Sequence, residues 1–274
     1  MSGFVKCQKP SETSSSSISS GIPTLDKLIE LSDGTVSCIY EDQNSFFHNT
    51  MLQTFVSSCT DRNQQCLVLS CEDKLLLRFL YAQKESEEEP EVPKNLLIAW
   101  RYKSMSPAEP KFKWNLLSKQ PLPKEMIVNS LDELLCILKS KEALKTVIFS
   151  LFSPLFGQFT PDQIFKTLFE IKKYARLNKH TVFLSLPKFL VDEETSVFFD
   201  NIIQIRSNLL FPHETSYYIG YLELLKVSSV GAFRVNSLES TKYGIVLKTK
   251  KIKIERIDIP PDETVPSASC GQSF

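Results

Sequence analysis

Histidine, net charge and long apolar runs are all scarce in this 274-residue chain. Three histidines, His48, His180 and His213, are too few imidazoles to expect a metal centre, and no C-x-x-C pair offers thiolates in their place. Lys and Arg total 32 and Asp and Glu 32, so no global field draws the chain to nucleic acid or to an anionic membrane. Any RNA contact must then come from a local patch. The most apolar stretch, 146–156, is broken by Pro154 and falls short of the roughly 20 residues a bilayer crossing needs, so no membrane association is expected. Residues 1–20 are polar, which excludes a secretory leader there. Seven cysteines, an odd number with several in apolar runs, point to reduced thiols in the cytoplasm and also the nucleus. Cys38, Cys66, Cys71 and Cys136 read as small core residues.

What is present is an alternation of short apolar strands with amphipathic helices. Strands are expected at 35–40, 66–70, 95–102, 145–149 and 181–186, and helices at 46–59 and 73–83 from their 3.6-residue periodicity. Ser130 with Glu133 and Thr160 with Gln163 read as capping boxes, the second with Pro161 at the first helical position. The helix that follows Thr160 gathers Lys172, Lys173, Arg176 and Lys179 toward its end, where the helix dipole favours cations. Residues 85–91 hold five glutamates and read as a solvated loop, and 104–123, rich in proline and lysine, as another. From residue 201 the texture turns to strands alone, at 201–205, 217–225, 244–248 and 251–256. These fit antiparallel additions to one edge of a mostly parallel α/β sheet with helices on both faces. One domain is expected over 20–262, after a disordered Ser-rich arm at 1–19 and before a flexible tail at 263–274.

Gly21-Ile22-Pro23-Thr24-Leu25-Asp26 resembles the G-x-x-x-L-D segment that opens RecA- and KaiC-like ATPases, which implies a single RecA-like domain. In those proteins a strand follows, then a glycine-rich phosphate loop ending in Lys and Ser or Thr. Here 34–40 supplies the strand, but the loop positions hold Glu41-Asp42-Gln43-Asn44-Ser45-Phe46-Phe47-His48. Phosphate binding needs glycines, so that successive N–H groups curl around the oxygens, and a lysine to neutralise them. This stretch has neither; Phe47 stands in the lysine position, His48 in that of the metal-holding hydroxyl, and Glu41 and Asp42 repel phosphate. The strand at 146–149, which would end in a magnesium-orienting aspartate, ends at Ser150. No catalytic residue, nucleotide site or cofactor is therefore expected, and the chain reads as a non-enzyme.

Beyond that loop the chain resembles the fourth-subunit family of the Elongator complex, the RecA-like subunit without Walker motifs. Ile98-Ala99-Trp100-Arg101-Tyr102, Ser153-Pro154-Leu155-Phe156-Gly157, Leu247-Lys248, Ile254-Glu255-Arg256 and Ile259-Pro260-Pro261-Asp262 carry the likeness together with the 21–29 segment. The resemblance implies assembly with the fifth and sixth Elongator subunits in a hetero-oligomeric ring. Such a ring binds tRNA and assists the catalytic subcomplex that modifies wobble uridines.

Three residues are candidates for RNA contact. Arg206 follows a strand about where RecA-like rings place pore loops, Arg101 is flanked by Trp100 and Tyr102, and Lys250 lies among Lys248, Lys251 and Lys253. Strand alternation sets Lys248 and Lys250 opposite Lys251 and Lys253, which favours an edge protected from pairing over an RNA-facing patch. Trp100 itself, in an apolar strand, is more often core or subunit interface than a stacking platform. Phe149, Phe152 and Phe156 fit either a partner-binding patch or packing. Glu41 and Asp42 offer a neighbour's arginine an ion pair, or form a solvated loop. Two other functions remain open: an NTPase whose site a ring neighbour completes, and a recombination-type RecA relative acting on DNA.

Overall fold

The computed structural model describes residues 18–29, 31–41, 47–70, 79–83, 114–141, 143–154, 157–190, 192–207, 217–228, 241–248 and 251–257. The order of elements is α1 Pro23–Asp26, β1 Val36–Glu41, α2 Phe47–Asp61, β2 Cys66–Leu69, β3 Phe79–Gln83, β4 Trp114–Pro121, β5 Ile127–Val128, α3 Leu131–Ser140, β6 Lys145–Ile148, α4 Pro161–Asn178, β7 Thr181–Pro187, α5 Glu193–Ser196, β8 Asn201–Ser207, β9 Gly220–Lys226, β10 Lys242–Lys248 and β11 Lys251–Arg256. Among the described residues no helix is long and apolar enough to cross a membrane.

One nine-stranded sheet has the order β11-β10-β9-β8-β1-β7-β6-β2-β5. From β8 to β5 the pairings are parallel, and β9, β10 and β11 add antiparallel beyond β8. The expected architecture is therefore the one present. Its parallel strands are buried on both faces, so all of β6 and all of β7 but its last residue are buried, and alternate apolar residues serve two cores. Ile39, Val147 and Phe183 pack with α1 and α2 on one side, where Phe55 meets Phe183 edge-on at 5.4 Å. Val36, Cys38, Ile148, Val182 and Leu184 pack with α3 and α4 on the other.

Local chemistry sets the helix ends. The Thr160–Gln163 box is complete, with Gln163 N–H donating to Thr160 Oγ1 at 3.3 Å and Thr160 N–H to Gln163 Oε1 at 2.9 Å. At α3 the box is displaced by one residue. Ser130 Oγ accepts from Glu133 N–H, but the Glu133 carboxylate reaches back to Asn129 N–H. The G-x-x-x-L-D segment acts structurally. Gly21 adopts φ 83°, a backbone conformation open to glycine, Leu25 is fully buried, and Asp26 Oδ1 accepts Ser20 N–H at 2.7 Å. Described chain begins with Ile18, already in the core; the rest of the arm and the 263–274 tail lie outside the described residues.

Several expectations are corrected. Residues 79–83, read as the end of a helix, form β3, and the 104–123 loop contains β4, its antiparallel partner. Cross-strand pairing overrides the local helical period. Cys136 is exposed on α3 rather than buried, while Cys38 and Cys66 are buried; Cys71 lies outside the described residues. Lys248 is paired with Lys251 across the β10–β11 hairpin, so these two positions share a face of the ladder instead of opposing each other. The expected strand at 95–102 and the acidic run at 85–91 lie outside the described residues.

The antiparallel extension contains two tight approaches to a glycine: a Cβ on Gly220 would stand 2.8 Å from the Arg206 carbonyl oxygen, and Gly244 is closer still to its neighbour. A Cβ built on Gly244 would stand 2.2 Å from Tyr218 Cδ1, because the tyrosine ring lies against the β10 backbone. Gly244→Val is therefore expected to cost about 1–3 kcal/mol through overpacking. Most of that cost should vanish in a Tyr218→Ala background, a non-additivity read from urea unfolding midpoints of the four proteins.

Candidate functional site

In an open α/β sheet, ligands bind beyond the carboxyl ends of the strands where successive connections leave to opposite sides. That place here is the end of β1. The chain leaves β1 through α2 toward β2 on one side, whereas β7 connects to β8 on the other. The carboxyl ends of β1, β6 and β7 bring together Glu41, Ser150 and Ser185, with Phe47 and His48 opening α2.

These residues close on one another. Ser185 Oγ donates to Glu41 Oε1 at 2.9 Å and accepts Ser150 N–H at 2.9 Å. The Ser185 carbonyl accepts Leu151 N–H at 2.8 Å. Chain leaves β6 through a turn in which Ser150 and Phe152 take positive φ, 48° and 64°, closed by Ser153 N–H on Ser150 O at 2.9 Å. Non-glycine residues hold such angles where surrounding bonds fix them, and the Ser185 contacts do so. Ser185 is fully buried and its hydroxyl is engaged in both directions, so it acts as a pin between strands, not as a nucleophile.

Around this network the electrostatics disfavour an anion. The Glu41 carboxylate occupies the strand end where backbone N–H groups would otherwise face phosphate. Phe47 is half-buried against the α2-side core, and His48 is buried one residue on. Burial, then the Glu41 charge, pushes the Cys38 thiol well up, and burial raises the Tyr40 phenol, so both stay protonated. A cation just past β7, Lys188, donates to Gln204 Oε1 at 3.1 Å. Among the described residues no group of His, Cys, Asp and Glu is arranged to hold a metal ion.

The other candidates separate from this place. Arg206 lies on β8 with its side chain 63% exposed and 3.8 Å from Glu223. Asp42, Arg101 and Lys250 lie outside the described residues, as do Trp100 and Phe156. Phe149 and Phe152 are buried, which settles them as packing rather than an exposed patch.

Sequence reasoning missed two residues, one at each end of the parallel strands. One is Ser185, 144 positions from the carboxylate it binds. The other is Asp200, buried below the amino ends of β1 and β8. It accepts Val36 N–H at 2.8 Å, Arg176 Nη2 at 2.9 Å, and Lys172 Nζ. Burial lowers the Lys172 ammonium below its ordinary range despite this carboxylate. The cluster of cations at the end of α4 was visible in the sequence; the acid that receives it was not.

Sheet order, two-sided helical cover and a site position at the end of β1 define a RecA-like α/β fold. Solved structures agree. A KaiC-like protein, PH0186 from the hyperthermophilic archaeon Pyrococcus horikoshii OT3, aligns with TM-score 0.50 and 14% identity over 87% of this chain and 98% of that one. A DnaB-like replicative helicase aligns with TM-score 0.54 and 13% identity, over 88% of this chain and 62% of that one. At such identities the likeness is one of fold. The family model described as PAXNEB protein matches residues 4–121. No curated protein matches the chain.

Proposed function

We propose that this chain is a non-catalytic subunit of the Elongator type, in the place of the fourth subunit. In this reading it joins the fifth and sixth subunits in a ring of RecA-like domains, and the ring binds tRNA and supports wobble-uridine modification by the catalytic subcomplex. The observation that carries the non-catalytic part is the Glu41–Ser185–Ser150 network: the strand end that would grip phosphate is occupied by the chain's own carboxylate. The PAXNEB match over 4–121 supports the Elongator part, since that family corresponds to the fourth subunit. Arg206, exposed at the end of β8, is the described residue best placed for RNA.

The test combines assembly with nucleotide titration. Co-expressed with the fifth and sixth subunits, the chain should elute with them as one complex. Alone it should give no saturable heat with Mg-ATP up to about 1 mM, the regime of binding weaker than ~4 kcal/mol. Saturable ATP binding lost on His48→Ala would overturn the non-catalytic reading in favour of a nucleotide site at this loop. A preference of the complex for DNA over tRNA would favour a recombination-type relative.

A further inference from the structure

The helices α3 and α4 end together at the amino end of the parallel strands. Asn178 Nδ2, at the end of α4, donates to the Leu138 and Lys139 carbonyls of α3 at 2.7 and 3.3 Å, and Ala143 N–H donates to the Asn178 carbonyl at 2.7 Å. The start of β1 lies against the same junction, since a Cβ on Gly34 would stand 3.8 Å from Arg176 Cα. Lys139 and Lys141 are exposed on the α3 side of it, and Lys173, Arg176 and Lys179 on the α4 side.

Cations at helix C-termini commonly serve the last carbonyls, but here those are taken. Lys141 N–H donates to the Ile137 carbonyl and His180 N–H to that of Ala175, each at 3.0 Å, and His180 Nε2 stands 2.8 Å from the Leu138 carbonyl. Among the described residues the ammonium groups of Lys139, Lys141 and Lys179 meet no hydrogen-bond or ion-pair partner.

The neighbouring carboxylates do not cancel this charge. Lys145 pairs with Asp33 at 2.6 Å, and Asp200 takes Lys172 and Arg176. Two more acids belong to the junction by position: Glu170, one turn back from Lys173, and Glu142, which lies outside the described residues. Seven cations thus stand against four carboxylates. The two helix ends, each worth roughly half a negative charge, still leave an excess of about two. Asp61 and Arg62, at the end of α2 on the other face, offset each other. The acids that open α5 lie elsewhere: Phe198, which follows that helix, meets the exposed Phe165 and Phe169, two turns or more back along α4 from Arg176.

The side chains say what such a surface fits. Among the described residues Leu177 is the one large apolar group exposed beside these cations. A protein interface is anchored by aromatic and aliphatic groups with lysine depleted at its centre, and a bilayer surface takes an apolar face along with the basic one. Unpaired ammonium groups, compact point charges, suit phosphate oxygens. We infer that this junction is a contact surface for the phosphate backbone of a nucleic acid. Its charge does not depend on the ring proposed above. Within that ring it gives tRNA a second contact, at the opposite end of the strands from Arg206.

The test titrates unfractionated tRNA against the full chain, alone and co-expressed with the fifth and sixth subunits. Alone, at about 50 mM salt, the wild type should bind with a Kd of roughly 10⁻⁵ M, and more weakly as salt rises. Lys139→Gln, Lys141→Gln and Lys179→Gln combined should weaken binding at least tenfold and make the salt slope shallower by about two to three. Lys27→Gln, Lys124→Gln and Lys166→Gln combined make the same charge change at other exposed positions and should bind as wild type does. Both triple variants should keep one cooperative melt and the wild-type elution volume, so that lost binding is not lost fold. Equal weakening by the two triples, or wild-type affinity in the first, would overturn the inference. So would absence of tRNA binding by the isolated wild type, or a preference for phosphatidylserine vesicles over tRNA. Failure to assemble with the fifth and sixth subunits would remove the Elongator reading, and the titration of the chain alone would still decide this one.

Discussion

Asp200→Ala is expected to be the most damaging substitution away from the apolar cores, lowering stability by about 3–5 kcal/mol as for other broken buried ion pairs. Its carboxylate is 8% exposed and receives the Val36 amide together with two cations. Arg176 is 54% exposed and can turn back to water, so its share is small. Lys172, 17% exposed, and the Val36 N–H cannot do so without opening the sheet. For a domain of this size such a loss is a fall of roughly 10 °C in Tm. Asp200→Asn keeps an acceptor for Val36 and should lie between wild type and Asp200→Ala. Lys172→Met should recover part of the Asp200→Ala loss, since it removes the stranded charge. A thermal melt of Asp200→Ala that matched wild type would show that the cluster adds no net stability.

His180 should give the largest pH effect. Its ring is fully buried between α3, α4 and β6, with Nδ1 accepting Leu144 N–H at 3.1 Å and Nε2 2.8 Å from the Leu138 carbonyl. Nδ1 must be unprotonated to accept, so the neutral ring with hydrogen on Nε2 is the form that fits. Burial holds the folded ring below its ordinary value of 6.5, partly offset by the Leu138 bond, with Lys145 adding to the depression. The unfolded chain therefore binds the extra proton first as pH falls. Stability from this group is complete above about pH 6.5 and declines as pH drops below it toward the folded value. His180→Gln should flatten that limb of a stability–pH curve. His180→Ala should cost about 3 kcal/mol at neutral pH, because the Leu144 amide is left buried without an acceptor. Leu138 O keeps the Asn178 side chain, at 2.7 Å, and is not stranded. A stability curve unchanged between pH 7 and 5 in wild type and His180→Gln alike would rule the imidazole out as a titrating element.

The elements legible in the sequence were those specified by residues close together in it. The Thr160–Gln163 box, the inward stripe Ile164–Leu168–Ile171–Ala175 and the apolar runs of β1, β6 and β7 each carry their own signal. The antiparallel extension was legible because strand followed strand with no helix between. The β3–β4 pair was not. Phe79 and Pro121 pair across an acidic and proline-rich stretch, and nothing local to either says that the other will be its partner. At the site, the lost phosphate grip could be read from missing glycines and lysine, since absence of a required residue is itself a local fact. What fills the place could not. Glu41 finds Ser185, and Val36 finds Asp200, only after the sheet has brought β7 and β8 to either side of β1. Exposure of Phe165 and Phe169 was hidden for the opposite reason: an outward aromatic on an amphipathic helix looks the same in sequence as one that packs.

The contact between α1 and β11 ties together segments near the two ends of the described residues. Thr24 Oγ1 accepts the Ile254 amide at 3.1 Å, across 230 positions of sequence. Ile254 would otherwise show that N–H on the open side of the outermost strand, where another extended segment could bind it. During synthesis, then, the first helix waits for the last strand. A chain stalled or truncated before Lys251 would leave β10 as a raw border and Thr24 without its donor, and such a nascent product should be the species most prone to strand-mediated aggregation.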